Sequence, residues 1–430
     1  MSPEDRTHTH PLDNLTVWLS ANLVISSVAL GSLAVPLFHM GWWDSLLAIA
    51  LFNLLGALPV AFFATLGPLL GLRQMTISRF AFGWNAAKLL ALLNVVACVG
   101  WSAVNSIVGG QILETASAGA VPVWVGIVLL ALITTPVSMF GYAFVHRFER
   151  FAWMPMAGIF AWTGLVAARG WVAPPLHWNL PAFLSFGSAV FGFAVSWSSY
   201  AADYNVRQPE STPPRRIFWL TYAGVLLPCL LLETLGVALT LVPRLQGKMG
   251  GALLAEALLP MGGLGQLALF LLALSVVSNN IPNDYSLGLT LQVLGRWWQS
   301  VPRHVWTVLG AILYVALAIP AAVHFGETLT DFLLIMSYWL GPWATVLALD
   351  CWFRRRVYQA ESWNDPARLP ERWPAILAML AGLVGAALGA HQVLFQGPLA
   401  GWIGADVGFE TAVVVTALVY LSLRASSKQS

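Results

Sequence analysis

Residues 263–290 read GLGQLALFLLALSVVSNNIPNDYSLGLT, and this stretch decides which kind of fold the chain adopts. A helix of this length crosses a hydrocarbon core of about 30 Å at about 1.5 Å per residue. Its middle is nevertheless polar, with three asparagines, two serines and a proline. Such clusters are costly in lipid and mark pathways for ions or solutes. The stretch therefore predicts a transmembrane helix that lines a polar cavity.

The rest of the chain is apolar enough to form a bundle around this helix. Hydrophobic residues make up 58% of the 430 residues and charged residues 9%, against about 25% charged in an average soluble domain. Twelve apolar segments are long enough to span a bilayer; they lie at 15–40, 43–66, 88–114, 121–144, 151–169, 182–202, 216–242, 263–290, 303–322, 329–350, 373–391 and 404–424. They are too long and too continuously apolar for barrel strands. We predict an all-α polytopic membrane protein with twelve transmembrane helices.

The basic residues between these segments predict the orientation, because cytoplasmic loops carry an excess of Lys and Arg. Three basic residues follow odd-numbered segments, namely Arg169, Arg244 and Lys248. Fifteen follow even-numbered segments: Arg73, Arg79, Lys88, Arg147, Arg150, Arg207, Arg215, Arg216, Arg296, Arg303, Arg354, Arg355, Arg356, Arg368 and Arg372. The even-numbered loops and both termini are therefore predicted to be cytoplasmic, in a multi-pass protein of the cell membrane.

Two segments contain residues that interrupt helices. Segment 1 carries Gly31 within the run 29–32, followed by Pro36, and segment 6 carries Gly187 and Gly192. Interrupted helices at corresponding places in two inverted halves point to a binding site at the membrane midplane. The alternative is that these glycines only let helices pack closely.

Aromatic and amide side chains in segments 3 and 6 suit a planar ligand. Trp101 and Asn105 are one turn apart on one helical face, where an indole offers a π surface and an amide offers donors and an acceptor. Trp197 could supply a second aromatic wall, with Ser196 beside it. The alternative is a tryptophan packed between helices and an asparagine bonded to a neighbouring helix.

Asp203 and Tyr204 follow at the end of segment 6. These two residues either cap the cytoplasmic end of that segment or form a gate with a basic residue such as Arg79 or Arg207.

The polar middle of segment 8 could bind both solute and ion. Asn279 and Asn283 share a face with Ser275, and Asn280 is adjacent. Pro282 has no N–H and clashes with the carbonyl of Ser278, which leaves that carbonyl and the Ser278 hydroxyl free to ligate a hard cation. The alternative is a kinked helix whose asparagines bond neighbouring backbone.

Other chemistries have no support in the sequence. We find no P-loop, HExxH or GxSxG motif, so neither ATP-driven transport nor hydrolysis is predicted. No cofactor is predicted, and the net charge of +2 gives no reason to expect a nucleic-acid partner. Glu233 is predicted to be the one acidic residue near mid-membrane. It is either a proton carrier or a neutral, hydrogen-bonded group.

Several motifs together resemble nucleobase–cation symporter family 1, and most of all its cytosine–purine branch of bacterial cytosine permeases and fungal Fcy-type carriers. They are GLRQMTISRFAFGWN at 71–85, GWSAVN at 100–105 and SNNIPNDYS at 278–286, with the Trp197 to Tyr204 pattern between them. The resemblance implies a leucine-transporter-type fold of two inverted five-helix repeats plus two extra helices.

On that resemblance the domains are a cytoplasmic tail (1–14), a core (15–350) of repeats 15–169 and 182–350, a basic loop (351–372), helices 11 and 12 (373–424) and a tail (425–430). Trp101 and Trp197 would sandwich a base. Asn105 would hydrogen-bond it, and Asn283, with Asn279 or Asn280, would read its edge.

The resemblance also implies roles for several smaller residues. Ser32 would line the same cavity and Pro282 would shape it. A coupling sodium would lie between helix-1 carbonyls near Gly31 and the hydroxyls of Ser275 and Ser278; a proton is the alternative. The function implied is cation-coupled import of a nucleobase such as cytosine or a purine. The alternatives are a same-family carrier of allantoin, hydantoin, uracil, thiamine or a pyridoxine-type vitamin and, from another class, a channel or an intramembrane enzyme.

Overall fold

The computed structural model of the chain describes residue 6 and residues 12–140, 142–168, 170, 172, 178–354, 358–393 and 395–426, with 140, 142–152, 166 and 426 described by backbone alone. Most of both predicted tails lies outside these residues, as do Arg169, Arg355 and Arg356 of the charge count. The described chain is helical, and its one isolated β-bridge joins His391 to Gln396.

Nineteen α-helices follow one another in the described part of the chain. The first ten are α1 (Asp13–Asn22), α2 (Ile25–Gly31), α3 (Trp42–Ala64), α4 (Leu66–Leu70), α5 (Gln74–Phe82), α6 (Ala86–Ala116), α7 (Val123–Phe140), α8 (Tyr142–Ala168), α9 (Leu180–Ser196) and α10 (Ala201–Asn205). The others are α11 (Pro214–Thr240), α12 (Gly250–Leu258), α13 (Gly263–Leu291), α14 (Arg296–Ser300), α15 (Arg303–Ala321), α16 (Phe325–Arg354), α17 (Trp373–Gly389), α18 (Pro398–Ile403) and α19 (Gly408–Ser426).

The all-α membrane fold is confirmed, since each of the twelve predicted segments overlaps one long helix or, for segments 1 and 6, a helix and its short continuation. By length and composition alone, seven of the described helical runs could cross a membrane, or eight if the bent pair α1–α2 is one span. One of the seven is the 52-residue run Arg303–Arg354, which contains predicted segments 9 and 10. Val123–Met139 and Trp373–Gly389 are apolar but shorter.

The outer helix faces are apolar, as lipid contact requires. On α3, Leu47, Leu51, Leu54 and Leu58 are each more than 40% exposed at helical spacing, while Asn53 on the other side is fully buried. A soluble monomer rarely leaves a contiguous apolar surface of this kind uncovered. The polar residues of this bundle are thus turned inward.

Segment 1 bends earlier than we predicted. α1 ends at Asn22 and α2 begins at Ile25, with 54° between them. α2 ends at Gly31 and turns follow over 32–38, so segment 1 is interrupted at the predicted place as well as at this earlier bend. At the bend, polar side chains replace backbone bonds. The Ser27 hydroxyl donates to the Asn22 carbonyl (3.0 Å), and the Asn22 amide donates to the Trp18 carbonyl (3.0 Å). Side chains of this kind compete with the helical ladder.

In segment 6 the helix is not interrupted at the glycines. α9 continues through Gly187 and Gly192, and a 3₁₀ turn at Trp197–Ser199 separates it from α10. A Cβ on Gly192 would lie 2.1 Å from the Leu333 carbonyl oxygen on α16. Gly192 therefore serves close helix packing, which is the alternative the sequence left open.

Candidate substrate-binding site

A small cavity lies where α2, α6, α9 and α13 meet. Its walls are Val24, Ser26, Trp101, Asn105, Phe193, Ser196, Trp197, Tyr200, Asn279 and Asn283. Six of these ten had been predicted from sequence as substrate-binding residues. The volume is about 20 Å³, enough for about one water molecule. The structure is therefore occluded at this point, and a ring can enter only after the walls move apart.

The two predicted indoles both reach this cavity, and their neighbours fix their orientation. Trp101 makes edge-to-face contacts with Phe193 (5.2 Å between ring centroids, 87°) and Phe332 (5.1 Å, 83°). Trp197 makes one with Trp18 on α1 (5.8 Å, 89°). Each such pair contributes about 0.5–1.5 kcal/mol beyond area burial. The rings are thus held rigidly before any ligand arrives.

Asn280 does not line the cavity, contrary to its predicted role. It is fully buried and links α13 to α6. It accepts a hydrogen bond from the Asn105 amide (3.0 Å) and donates to the Ser106 hydroxyl (3.1 Å) and the Ser102 carbonyl (3.3 Å). These partners use its whole amide, because buried polar groups in lipid must be satisfied within the protein.

Asn279 and Asn283 are the amides of α13 that face the cavity. α13 continues through Pro282 without interruption. The Asn283 amide reaches the Asn279 carbonyl over a long 3.5 Å. Most of the hydrogen-bonding capacity of these two side chains is therefore left for a ligand.

The two predicted sodium ligands on α13 lie next to each other and bond their own helix. The hydroxyls of Ser275 and Ser278 donate to carbonyls of their own helix, Leu272 and Ser275 respectively, both over 2.7 Å. The carbonyl of Gly31 accepts one hydrogen bond, from the Ala34 backbone N–H (3.2 Å). A sodium site at the two serines stays a prediction.

Ser32 lies outside the cavity, which corrects the role implied by the resemblance. It is fully buried; its hydroxyl donates to the Ala29 carbonyl (2.6 Å) and accepts from the Gly250 amide (3.1 Å). Ser26, just after the bend, lines the cavity in its place. A sequence search could have found Ser26 had the bend been placed at the polar residues 22–27.

A second intramembrane acid was missed. Asp284 follows Asn283 directly and is 3% exposed. Its carboxylate accepts from Ser138 on α7 (3.0 Å) and from Ser102 on α6 (3.4 Å). Glu233 is therefore not the only acidic residue within the bundle. The signal was present in the sequence, as an Asp inside an apolar helix.

The side of the even-numbered loops is closed by two separate contacts. The Asp203 carboxylate caps α5 by accepting a hydrogen bond from the backbone N–H of Gln74 (2.8 Å). The side-chain oxygen of Gln74 in turn accepts from the backbone N–H of Ala202 (3.1 Å). Asp203 therefore caps a loop helix, and its predicted pairing with Arg79 is not formed.

Arg79 instead joins three segments on the side of the even-numbered loops. Its guanidinium donates to the carbonyls of Trp363 (2.9 Å) and Val293 (2.9 Å) and lies 4.1 Å from the ring centre of Trp84. Burial lowers the pKa of Arg79 to about 10, so the side chain is charged at neutral pH.

The opposite side is open. A vestibule of about 760 Å³ lies among the turn after α2, the start of α9, the start of α16 and the connection from α17 to α19. All of these follow odd-numbered segments. Its acidic residues are Glu327, Asp331 and Asp406, with His391 nearby. An open vestibule on one side, an occluded cavity and a closed opposite side describe one stage of an alternating-access cycle.

Comparison with known proteins points the same way as this geometry. A family model described as permease for cytosine/purines, uracil, thiamine, allantoin matches residues 2–362. The purine-cytosine permease fcyB of Emericella nidulans is 38% identical over 98% of this chain and 86% of its own length. The purine-cytosine permease FCY2 of Saccharomyces cerevisiae is 34% identical over 99% and 84%.

Among solved structures, the chain resembles Mhp1, a nucleobase-cation-symport-1 family transporter, in a closed conformation with bromovinylhydantoin bound. The TM-score is 0.76 at 14% identity, over 98% of this chain and 93% of the other. At that identity the likeness shows the fold alone, and the leucine-transporter-type architecture implied by the sequence motifs is confirmed.

Proposed function

The chain belongs to the family of permeases for cytosine/purines, uracil, thiamine and allantoin, and from this membership we propose that it imports a nucleobase, cytosine or a purine, together with a cation. The cavity carries the proposal. Two rigid indoles and three amides converge on it from α6, the 3₁₀ turn and α13. This set suits a planar, neutral solute with donors and acceptors on its edge.

The energetics favour such a ligand. Stacking on an aromatic side chain contributes about 1–3 kcal/mol per base. The amides of Asn279 and Asn283 reject analogues that would leave them unpaired, because an unmatched buried polar group is costly. Remaining candidates are other rings carried in this family, namely allantoin, hydantoin, uracil, thiamine and pyridoxine-type vitamins.

Coupling to a cation would arise through differential binding to the outward and inward states. Sodium or a proton can fill this role. For sodium the candidate ligands are the hydroxyls of Ser275 and Ser278, together with helix-1 carbonyls near Gly31.

For orientation we propose a location in the cell membrane with both termini cytoplasmic, supported by the distribution of basic residues. Gln246→Cys, after segment 7, and Gln299→Cys, after segment 8, would place single exposed thiols on opposite sides. An impermeant maleimide applied to intact cells should label the first and not the second. Labelling of the second alone would invert the topology.

The transport proposal is tested by uptake of labelled cytosine into proteoliposomes under imposed sodium or proton gradients, with unlabelled adenine, uracil, allantoin, thiamine and pyridoxine as competitors. Saturable uptake that cytosine and purines inhibit best is the expected result. Inhibition by another ring alone would reassign the substrate. Non-saturating flux that ignores every gradient would indicate a channel.

A further inference from the structure

Glu233 is not among the residues that line the cavity; it lies at the junction of α11 with α3 and α2. Its side chain is fully buried, as is that of Asn53 on α3. The Asn53 amide donates to Glu233 Oε2 over 2.7 Å and to the Ile49 carbonyl over 2.9 Å. These two bonds use both N–H groups of Asn53.

Two oxygens at this junction remain without a donor. Glu233 Oε1 and Asn53 Oδ1 are both buried, and neither has a hydrogen-bond partner in the part of the chain that is described. An ionised carboxylate in such a place costs several kcal/mol unless it is paired. A proton on the carboxyl removes the charge and supplies a missing O–H donor. Burial at this junction therefore favours the protonated carboxyl over the ionised one.

Among the side chains that the structure describes, no opposite charge pairs with Glu233. Of the helices packed against α11, α2 and α9 carry no titratable side chain, and the titratable groups of α1, α3 and α12 are acids: Asp13, Asp44 and Glu256. On α11 itself the nearest titratable group is Cys229, whose thiol contacts the Asn22 side chain at 3.5 Å. Among the described side chains, no lysine, arginine or histidine forms an ion pair with Glu233.

The junction is connected to the cavity through α2. A Cβ on Gly31 would lie 1.9 Å from the Glu233 carbonyl oxygen, and one on Gly236 would lie 2.2 Å from the Val28 carbonyl oxygen. α2 and α11 are therefore interlocked by backbone contact. The other end of this seven-residue helix begins beside Val24 and Ser26, which line the cavity. A change in packing at Glu233 shifts a wall of the substrate site.

We propose that Glu233, with Asn53, is the binding site of the coupling proton, an inference that rests on the proposed function of cation-driven nucleobase import. The C-terminal end of α11 lies on the side of the vestibule, and Glu233 is about 10 Å from that end along the helix. In the outward state the carboxylate takes a proton from the external solution and an O–H bond forms. In the inward state that bond breaks and the proton passes to the cytoplasm. No other bond changes.

The test compares net accumulation with exchange. Glu233→Gln keeps the shape of the side chain but binds no proton. In proteoliposomes with an inward proton gradient, this variant should accumulate at least 10-fold less labelled cytosine than the wild type. Exchange of labelled for unlabelled cytosine at equal pH on both sides should continue. Glu256→Gln is the matched control, because Glu256 is 40% exposed and pairs with Lys248 at 3.6 Å; it should behave like the wild type.

The proposal is overturned if Glu233→Gln accumulates as much cytosine as the wild type. It is also overturned if accumulation by the wild type depends on the sodium gradient and not on the pH gradient. The latter result leaves cation-coupled import standing. Failure of the wild type to move any nucleobase under either gradient defeats the proposed function itself.

A measurement on the unmodified protein covers the case of a variant that does not fold. Calorimetry of cytosine binding in buffers of different ionisation enthalpy reports proton uptake. About one proton per base near neutral pH supports the proposal, and none contradicts it.

Discussion

Asn105 on α6 donates a hydrogen bond to Asn280 on α13 over 3.0 Å. Two residues that were both expected to hold substrate thus hold each other. The two side chains differ in their surroundings: Asn105 still lines the cavity, whereas Asn280 is fully buried. The polar middle of α13 therefore has two faces. One face joins helices, and the other, with Asn279 and Asn283, is open to a ligand.

This division predicts different phenotypes for two neighbouring asparagines. Asn280→Ala leaves the Ser106 hydroxyl and the Asn105 amide without their partner, so the protein should lose about 1–3 kcal/mol of stability. Asn283→Ala should leave stability within about 0.5 kcal/mol and abolish high-affinity uptake. Thermal unfolding in detergent and the KM for labelled cytosine separate the two effects. Equal losses of stability in both variants would contradict the assignment.

The Trp101 side chain should affect transport mainly through the binding affinity for the nucleobase. Removal of one stacking surface worth about 1–3 kcal/mol corresponds to a roughly 5- to 150-fold weaker Kd. Trp101→Ala should show this loss with normal membrane insertion, and Trp101→Phe should recover part of it. Trp402→Ala is the control, because Trp402 is 85% exposed. Normal uptake by Trp101→Ala would remove Trp101 from the site.

The helices and most cavity residues could be predicted because the signals are local. An apolar run is read directly from the sequence, and Trp101, Asn105, Trp197 and Asn283 stand out as polar or aromatic groups within such runs. The family resemblance indicated which of these segments meet around one cavity. No such signal shows which face of a polar cluster turns to a neighbouring helix, and this is why Asn280 was misassigned.

The bend of segment 1 between Asn22 and Ile25 was not predicted, for a related reason. Glycine was taken as the breaker, yet Gly31 is required by a backbone contact with Glu233 on a distant helix. The bend itself is made by hydrogen bonds of Asn22 and Ser27, whose capacity to replace backbone bonds depends on side-chain rotamers. Neither the rotamers that form these local bonds nor the tertiary contact of Gly31 can be deduced from residue type and spacing.

The Arg79 side chain should hold the loops after the even-numbered segments together, in a geometry that only arginine provides. A lysine cannot bond the carbonyls of Trp363 and Val293 together while lying over an indole. Arg79→Lys should therefore speed proteolysis of the loop 358–372 in inside-out vesicles and lower stability by about 1–3 kcal/mol. Arg296→Lys, at an exposed position, should change neither. Wild-type cleavage rates in Arg79→Lys would show that the loop is held by other contacts.

The glycines of segments 1 and 6 should tolerate no added methyl group. In Gly31→Ala and Gly192→Ala the new Cβ would lie 1.9 Å and 2.1 Å from carbonyl oxygens of Glu233 and Leu333, and backbone cannot yield as a flexible side chain does. Overpacking of this kind costs about 1–3 kcal/mol or more. Gly158→Ala on α8 is the matched control, because nothing lies within 4 Å of its added Cβ, and it should be neutral or slightly stabilising. The unfolding temperature of the three variants checks this, and if all three unfold together the glycines have no role in close packing.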